Sequence, residues 1–392
     1  MRKQILSICA AMIMASGIVF ATEKTKAQSF VENMGIGINL GNTMEACGNW
    51  INPNGGVRAF ETAWGSPVIT KEIIQGYADA GFKTLRVPVA WTNMMSKDGN
   101  YTIKPELLSR VKEIVSWAVD CGMYVIVNEH WDYGWIETEM ISNKAEAMKK
   151  YKAIWSQVSK ALCDFDDKVI FESQNEELGN FKNKDGTPVW NSYNSSDVNG
   201  KKIAYELSNE INQTFVDLVR STGGNNATRL LLISGINTDI GKTCDPLFKM
   251  PKDPSAMCAV SVHYYTPAPF AIISEDVSWG KNRTTWGTPR DVSELAANMK
   301  KMKTTFVDNG IPVIIGEYGC PTKNKEQESI QNYLRLVCLH AYKNGMCPIL
   351  WDVQTKGTPQ DPFSHYDRKR GIITDPVVQQ NFRDIIEKTE RL

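Results

Sequence analysis

Eight short runs along the chain open on apolar residues and close on polar or aromatic ones. They are 35–41 (GIGINLG), 82–89 (FKTLRVPV), 124–130 (YVIVNEH), 168–176 (KVIFESQNE), 229–237 (RLLLISGIN), 259–265 (AVSVHYY), 312–319 (PVIIGEYG) and 347–353 (CPILWDV). Near-continuous apolar runs of this length predict strands covered on both faces, as in a parallel sheet. Between them, apolar positions recur at helical spacing over 70–80, 105–121, 144–165, 203–222, 291–309 and 325–344. Gly81, Gly122, Gly223, Gly310 and Gly345 stand where left-handed caps end such helices. Only the link 238–258 is too short and irregular to predict a helix, and a last helix over 375–390 is expected to close the bottom and side. Strand and helix repeated to eight strands predict a single-domain α/β fold, the (β/α)8 barrel. An open doubly wound sheet would carry GxGxxG after its first strand, which GINLGN does not match.

The first residues change the picture at one end. Met1, Arg2 and Lys3 precede seventeen uncharged residues, Ile5 to Ala21, followed by polar Thr22, Glu23 and Lys24. This predicts a signal peptide over 1–21, with Ala27 an equally defensible cleavage point and the catalytic barrel then spanning 28–392. A membrane anchor is the competing reading, but the run is short and no stop-transfer pattern follows. The expected protein is secreted or periplasmic, monomeric, and free of the membrane once the leader is removed.

Charge and cysteine content exclude several classes. The chain has 44 basic and 44 acidic residues; losing Arg2 and Lys3 leaves 42 against 44, a net charge of −2. Nothing in that balance steers toward nucleic acid, and a neutral partner fits better. Beyond Cys9, eight cysteines occur, at Cys47, Cys121, Cys163, Cys244, Cys258, Cys320, Cys338 and Cys347, with no CxxC pair. The spacing matches neither a zinc site nor a small disulfide scaffold. Cys121, Cys163 and Cys338 sit in apolar helical patterns and read as buried thiols.

In such a barrel the C-terminal strand ends share one mouth, so polar residues that close apolar strands converge there. The set is Asn39 and Asn42, Arg86, His130, Asn175 and Glu176, His263 and Tyr265, Glu317, and Trp351. Glu176 and Glu317 close strands four and seven, whose tips face each other across the opening. A carboxylic acid facing a carboxylate is what glycoside hydrolysis requires, one group protonating the leaving oxygen and the other attacking the anomeric carbon. Arg86 and Tyr265 are placed to keep Glu317 ionised, and Asn175 to bond a sugar 2-hydroxyl. A single glutamate ending a strand is more often a solvated rim residue; eight strands ending in mutually compatible chemistry carry the argument.

The strings GINLGNT, LRVPV, VIFESQNE, VHYYTP, VIIGEYG and ILWD, from about residue 35 to 353, resemble glycoside hydrolase family 5, the old cellulase family A. The resemblance implies Glu176 as acid/base, Glu317 as nucleophile, and Arg86, His130, Asn175, His263, Tyr265 and Trp351 around the reacting sugar. It also implies retention of configuration, an endo-β-1,4-glucanase type of activity on a polysaccharide, and no metal or organic cofactor. Two positions depart from the family pattern. Glu177 follows Glu176 where proline is usual, and is expected to face outward. Trp131 follows His130 where a second histidine is frequent.

Sugar rings present flat apolar faces that stack on indoles. Trp50, Trp64, Trp131, Trp135, Trp279 and Trp286 fall in loops after strands one, three and six and are expected to act as platforms, each with simple loop packing as the even alternative. Trp117 and Trp155 recur at helical spacing with Ile114, Val115, Val158 and Leu162 and read as core. His340 and His365 read as structural.

The leading expectation is therefore a secreted retaining endo-β-1,4-glucanase. β-Mannanase, xyloglucanase and mixed-linkage glucanase remain open within the same reaction class. A metal-dependent barrel hydrolase would need more strand-end histidines than the four in the chain supply. A glycan-binding barrel without turnover would have no need of both glutamates.

Overall fold

The computed structural model describes residues 23–176, 181–191, 196–354 and 363–391. Eight parallel strands close into a barrel: β1 (Gly37–Asn39), β2 (Thr84–Val87), β3 (Tyr124–Asn128), β4 (Val169–Glu172), β5 (Leu231–Ser234), β6 (Cys258–Tyr264), β7 (Val313–Tyr318) and β8 (Cys347–Leu350). Closure is made by β1 and β8, with Gly37 opposite Ile349 and Ile38 opposite Leu350. A Cβ at Gly37 would come within 2.8 Å of the Thr84 carbonyl oxygen, so a side chain there would collide with β2. The regular strands are shorter than the apolar runs predict, because the polar ends leave the hydrogen-bond ladder and turn into the mouth.

Seven helices follow the expected pattern: α2 (Lys71–Asp79), α3 (Pro105–Asp120), α4 (Lys144–Ala161), α5 (Val198–Ser221), α6 (Pro289–Thr305), α7 (Gln327–Lys343) and α8 (Pro376–Lys388), after an α1 described below. Gly81 and Gly122 end α2 and α3 at φ of 99° and 80°, the left-handed caps that the sequence calls for. α5 starts earlier than the apolar periodicity suggests, because the Asp197 carboxylate accepts the Gly200 N–H at 2.9 Å and caps a polar first turn. The link between β5 and β6 holds a 3-10 turn, Ile236–Thr238, and a four-residue helix, Ile240–Thr243.

Strand alternation divides the interior. Val125, Val127, Val169, Phe171, Val260, Val262, Val313 and Ile315 point outward and pack under the helices. Inward, Ile126, Ile170, Leu232, Ala259, Ile314 and Ile349 fill the lower barrel. Higher on the same strands the inward positions turn polar, at Arg86, Asn128, Glu172 and Ser261, all fully buried.

One expectation about the ends is corrected. The barrel floor is closed by α1 (Lys26–Asn33), whose Ala27 and Val31, with Met34 just beyond it, join the lower cluster; α8 packs on the side against α7. Helix α1 begins with a capping box in which Thr25 Oγ1 accepts the Gln28 N–H at 3.2 Å and Gln28 Oε1 accepts the Thr25 N–H at 3.0 Å. A chain beginning at 28 would lack the Thr25 cap and part of the first turn of this helix. No disulfide occurs among the described residues; Cys338 is buried as expected, whereas Cys121 and Cys163 lie at helix ends and are only half-buried. No helix among the described residues is long and apolar enough to cross a membrane.

Candidate active site

The polar layer begins with Arg86, buried at the end of β2. Its Nε donates to Glu172 Oε2 at 2.7 Å and its Nη1 to Glu317 Oε1 at 2.8 Å and Asn39 Oδ1 at 3.0 Å, while Nη2 donates to Asn175 Oδ1 at 2.8 Å. Burial favours the neutral form of this guanidinium, yet the flanking Glu172 and Glu317 carboxylates raise its pKa, so it stays charged. Glu172 is held further by Ser261 Oγ, which donates to Oε1 at 2.7 Å. Two carboxylates thus share one guanidinium, which fixes the position of each.

Glu317 also accepts a hydrogen bond from the Tyr265 hydroxyl at 2.8 Å on Oε2. Burial is the largest influence on this carboxyl and pushes its pKa up; His263, Arg86 and the Tyr265 bond pull it down, and Glu176 pushes it up again. The strand that carries it is bulged. Val262 faces Ile315 but His263 faces Glu317, so Gly316 is an extra residue on β7 that aims Glu317 inward. A Cβ at Gly316 would lie 3.1 Å from His263 Nε2 and 3.2 Å from Ser261 Oγ, tighter than ordinary contact.

Across the mouth, Glu176 Oε1 lies 2.7 Å from His263 Nδ1, and the Glu176 side chain is 45% exposed. One donor atom each of Glu176, His263 and Glu317 falls within a mutual 4.8 Å. The buried His263 Nε2 has no hydrogen-bond partner. An orphaned lone pair is tolerated better than an orphaned N–H, so the ring proton is assigned to Nδ1, donating to Glu176. His130 stacks parallel to Trp351 with centroids 6.0 Å apart, and its Nδ1 accepts from Asn128 Nδ2 at 3.1 Å. Burial and the nearby Arg86 hold His130 far below its ordinary pKa, so it is neutral.

These groups open into a groove of about 540 Å³, whose lining includes Glu45, Trp64, His130, Trp131, Asn175, Glu176, Asn237, Tyr265, Ile272, Glu317, Trp351 and Phe363. The strand-end residues expected at the mouth are thus brought together, with Asn39 and His263 just behind the surface. Asn42 is buried at φ 58°, its N–H bonded to the Glu45 carboxylate.

The aromatic expectations divide. Trp64 and Trp131 line the groove, Trp131 at 51% exposure. Trp135 does not: it begins a short helix, is 4% exposed, donates from Nε1 to Glu129 Oε1 at 2.9 Å and lies under the Lys150 ammonium. Trp286 is buried as well, edge-on to Tyr333 at 5.1 Å. Both loops fold back on the helices, where an indole gains more from burial than from a place at the rim. Trp50 and Trp279 are exposed but stand outside the groove lining. Trp155 is core, and His365 is buried with Nε2 2.9 Å from the Cys320 carbonyl oxygen. Glu177 lies outside the described residues.

Sequence reasoning missed Glu172, Ser261 and Glu45. Glu172 did carry a signal, as a charge inside an apolar strand four residues before Glu176, where only a buried cation makes it tolerable.

A closed parallel barrel with two carboxyls facing each other across its mouth over a buried arginine defines a glycoside hydrolase. The chain belongs to glycoside hydrolase family 5: the family model described as Cellulase (glycosyl hydrolase family 5) matches residues 44–357. It is 35% identical over 391 residues to Endoglucanase A of Paenibacillus barcinonensis, covering 92% of this chain and 89% of that protein. With the xyloglucan-specific endo-beta-1,4-glucanase of Bacteroides ovatus it shares 32% identity over 361 residues, 84% of this chain and 67% of the relative. Among solved structures, a lichenase from Caldicellulosiruptor sp. in complex with cellotetraose superposes with a TM-score of 0.83 at 30% identity, covering 98% of this chain and 100% of that one.

Proposed function

We propose that this protein is an endo-acting β-1,4-glucanase that works by double displacement, with Glu317 as nucleophile and Glu176 as acid/base. The observation that carries the reading is the carboxyl pair: oxygens of the two glutamates lie within 4.8 Å. Retaining enzymes hold their carboxyl groups about 5–5.5 Å apart, whereas inversion needs about 6.5–9.5 Å to admit a water.

The two environments separate the roles. Glu317 is deep, bonded to a permanent cation and to a hydroxyl, so ionisation is supported at the moment of attack. Glu176 reaches into the groove with Oε1 receiving the His263 N–H, which leaves Oε2 to carry the proton toward the glycosidic oxygen. Asn175, held by Arg86, is positioned beside the 2-hydroxyl, and Trp351, stacked with His130, offers a ring to the sugar at the cleavage point.

A glucan is favoured because the relatives at this level of identity are named endoglucanase, lichenase and xyloglucan-specific glucanase. The groove is also aromatic and lined by carboxyls with no lysine or arginine, which suits an uncharged sugar chain rather than an acidic one. Xyloglucan and mixed-linkage glucan are the alternatives that these names support. We also propose export, with cleavage after Ala21, since removal to Ala27 would take away the Thr25 cap of α1.

The test is reducing-sugar release on soluble cellulose derivative, mixed-linkage β-glucan, xyloglucan and mannan, with Glu317→Ala alongside. Glutamate-dependent release from one or more glucans supports the reading, and release unchanged in the variant refutes the site. Release from mannan alone overturns the substrate.

A further inference from the structure

A second cleft of about 760 Å³ lies beside the catalytic groove, formed by the loops after β1, β2 and β3. Asn49, Ile51, Asn93, Tyr101, Lys104 and Tyr133 are among the residues that line it. The wall between the two cavities is one strained turn, in which Asp132 and Tyr133 hold φ of 39° and 62° and Gly134 follows at 66°. Ahead of this turn Trp131 lines the catalytic groove; within it Tyr133 lines the second cleft. Tyr101 on the cleft is also left-handed, at φ 54°. Non-glycine residues in this region are strained and persist where surroundings enforce them, commonly at binding sites.

Here the surroundings do enforce them. Asp132 is fully buried and its carboxylate accepts the Thr92 N–H at 2.9 Å and the Thr92 hydroxyl. The Tyr133 hydroxyl donates to Asn93 Oδ1 at 3.2 Å and accepts the Gly48 N–H at 3.0 Å. A ring clamped at its hydroxyl and its backbone remains 37% exposed. Two residues beyond Gly48, between the lining residues Asn49 and Ile51, Trp50 is 68% exposed. A clamped tyrosine ring and an exposed indole at the cleft edge, on loops tied to each other by the Gly48–Tyr133 bond, offer the faces on which a flat apolar sugar face stacks.

We infer that this cleft is a second saccharide site, which binds a β-glucan chain independently of the catalytic groove through Trp50 and Tyr133. The inference rests on the glucanase reading of the main site. Of the three lysines on the cleft, Lys150 is engaged by Glu139 at 3.3 Å and by the Trp135 ring at 4.1 Å, while Lys97 and Lys104 face water. The aromatic pair selects a neutral glucan, and an acidic chain drawn by the two lysines is the outcome that the polygalacturonate arm below detects.

The experiment blocks the groove and asks whether binding survives. Enzyme labelled on Glu317 with a 2-fluoro cellobiosyl inactivator is run in native gels containing mixed-linkage β-glucan, hydroxyethyl cellulose or polygalacturonate. Glu317→Ala saturated with cellotetraose serves as the blocked form if no adduct appears. Blocked enzyme should remain retarded by the two glucans, and Trp50→Ala should weaken that retardation roughly five- to tenfold. In active enzyme the same change should raise KM on polymer and leave kcat and cellotetraose kinetics unaltered. Tyr133→Ala should weaken polymer binding likewise. Loss of retardation on blocking, retention by polygalacturonate alone, or equal losses on polymer and cellotetraose would overturn the inference. Absence of any glucan turnover by the wild type would instead strike the main site's assignment.

Discussion

The floor and the mouth of the barrel are built from the same eight strands and obey opposite rules. At the floor, Ile126, Ile170, Ile314 and Ile349 meet Ala27 and Val31 of α1 in a dry cluster that any well-fitting apolar set would satisfy. At the mouth, Arg86, Glu172 and Glu317 hold each other by charged hydrogen bonds at 2.7–2.8 Å, and none has an apolar substitute. Burying these charges is unfavourable by itself, and only mutual satisfaction makes it tolerable. The contrast teaches that the floor carries stability, the mouth carries chemistry, and the Arg86–Glu172 layer between them carries both.

Substitutions along the barrel axis should separate these duties. The largest effect belongs to Glu317→Ala, which should lower kcat on the order of 10⁴-fold or more. Arg86 loses a partner, but the carboxyl removed is itself unfavourably buried and lines the groove, so the stability loss should be smaller than for Glu172→Ala. Azide should restore part of its turnover, and Glu176→Ala should suffer least on substrates with good leaving groups. Next, Glu172→Ala should lose both activity and about 3–5 kcal/mol of stability, because Arg86 is left buried with half its compensation; paired kinetics and denaturant unfolding would show it. Val31→Ala at the floor should cost about 2 kcal/mol with kcat unchanged below the transition. An activity loss there larger than the stability loss would erase the distinction between floor and mouth.

The smallest effect concerns Glu45, whose buried carboxyl is pushed from 4.5 up to about 7. The folded protein therefore holds a proton there that the unfolded chain has released, wherever pH lies between those values. Its contribution to stability is complete below pH 4.5 and is lost as pH rises through about 7. Asp352, pushed up to about 6 by burial, acts in the same sense. In Glu45→Gln the fall of melting temperature between pH 5 and 7 should be shallower than in the wild type, as scanning calorimetry in matched buffers would show.

Much of this was legible in the chain. Period and punctuation placed all eight strands and seven of the main helices, because a strand covered on both faces leaves a dense apolar run. Helix α1 was not foreseen, since Lys26–Asn33 is short, and its role depends on a floor that no local pattern describes. The ring of polar residues at the mouth was legible because barrel geometry forces strand ends together. Glu172 and Ser261 escaped because they sit below those ends, and the bulge at Gly316 cannot be read without the partner strand's register. The tryptophans divided because exposure of a loop indole depends on how the loop folds back: Trp64 and Trp131 face the groove, whereas Trp135 and Trp286 are covered.

The central claim is that Glu176 and Glu317 act as a retaining pair, and the anomer first released tests it most directly. Proton NMR of cello-oligosaccharide hydrolysis, followed from the first minutes before mutarotation, should show the β-anomer accumulating ahead of the α. Initial release of the α-anomer would mean inversion, and would contradict the direct attack by Glu317 on which the account rests.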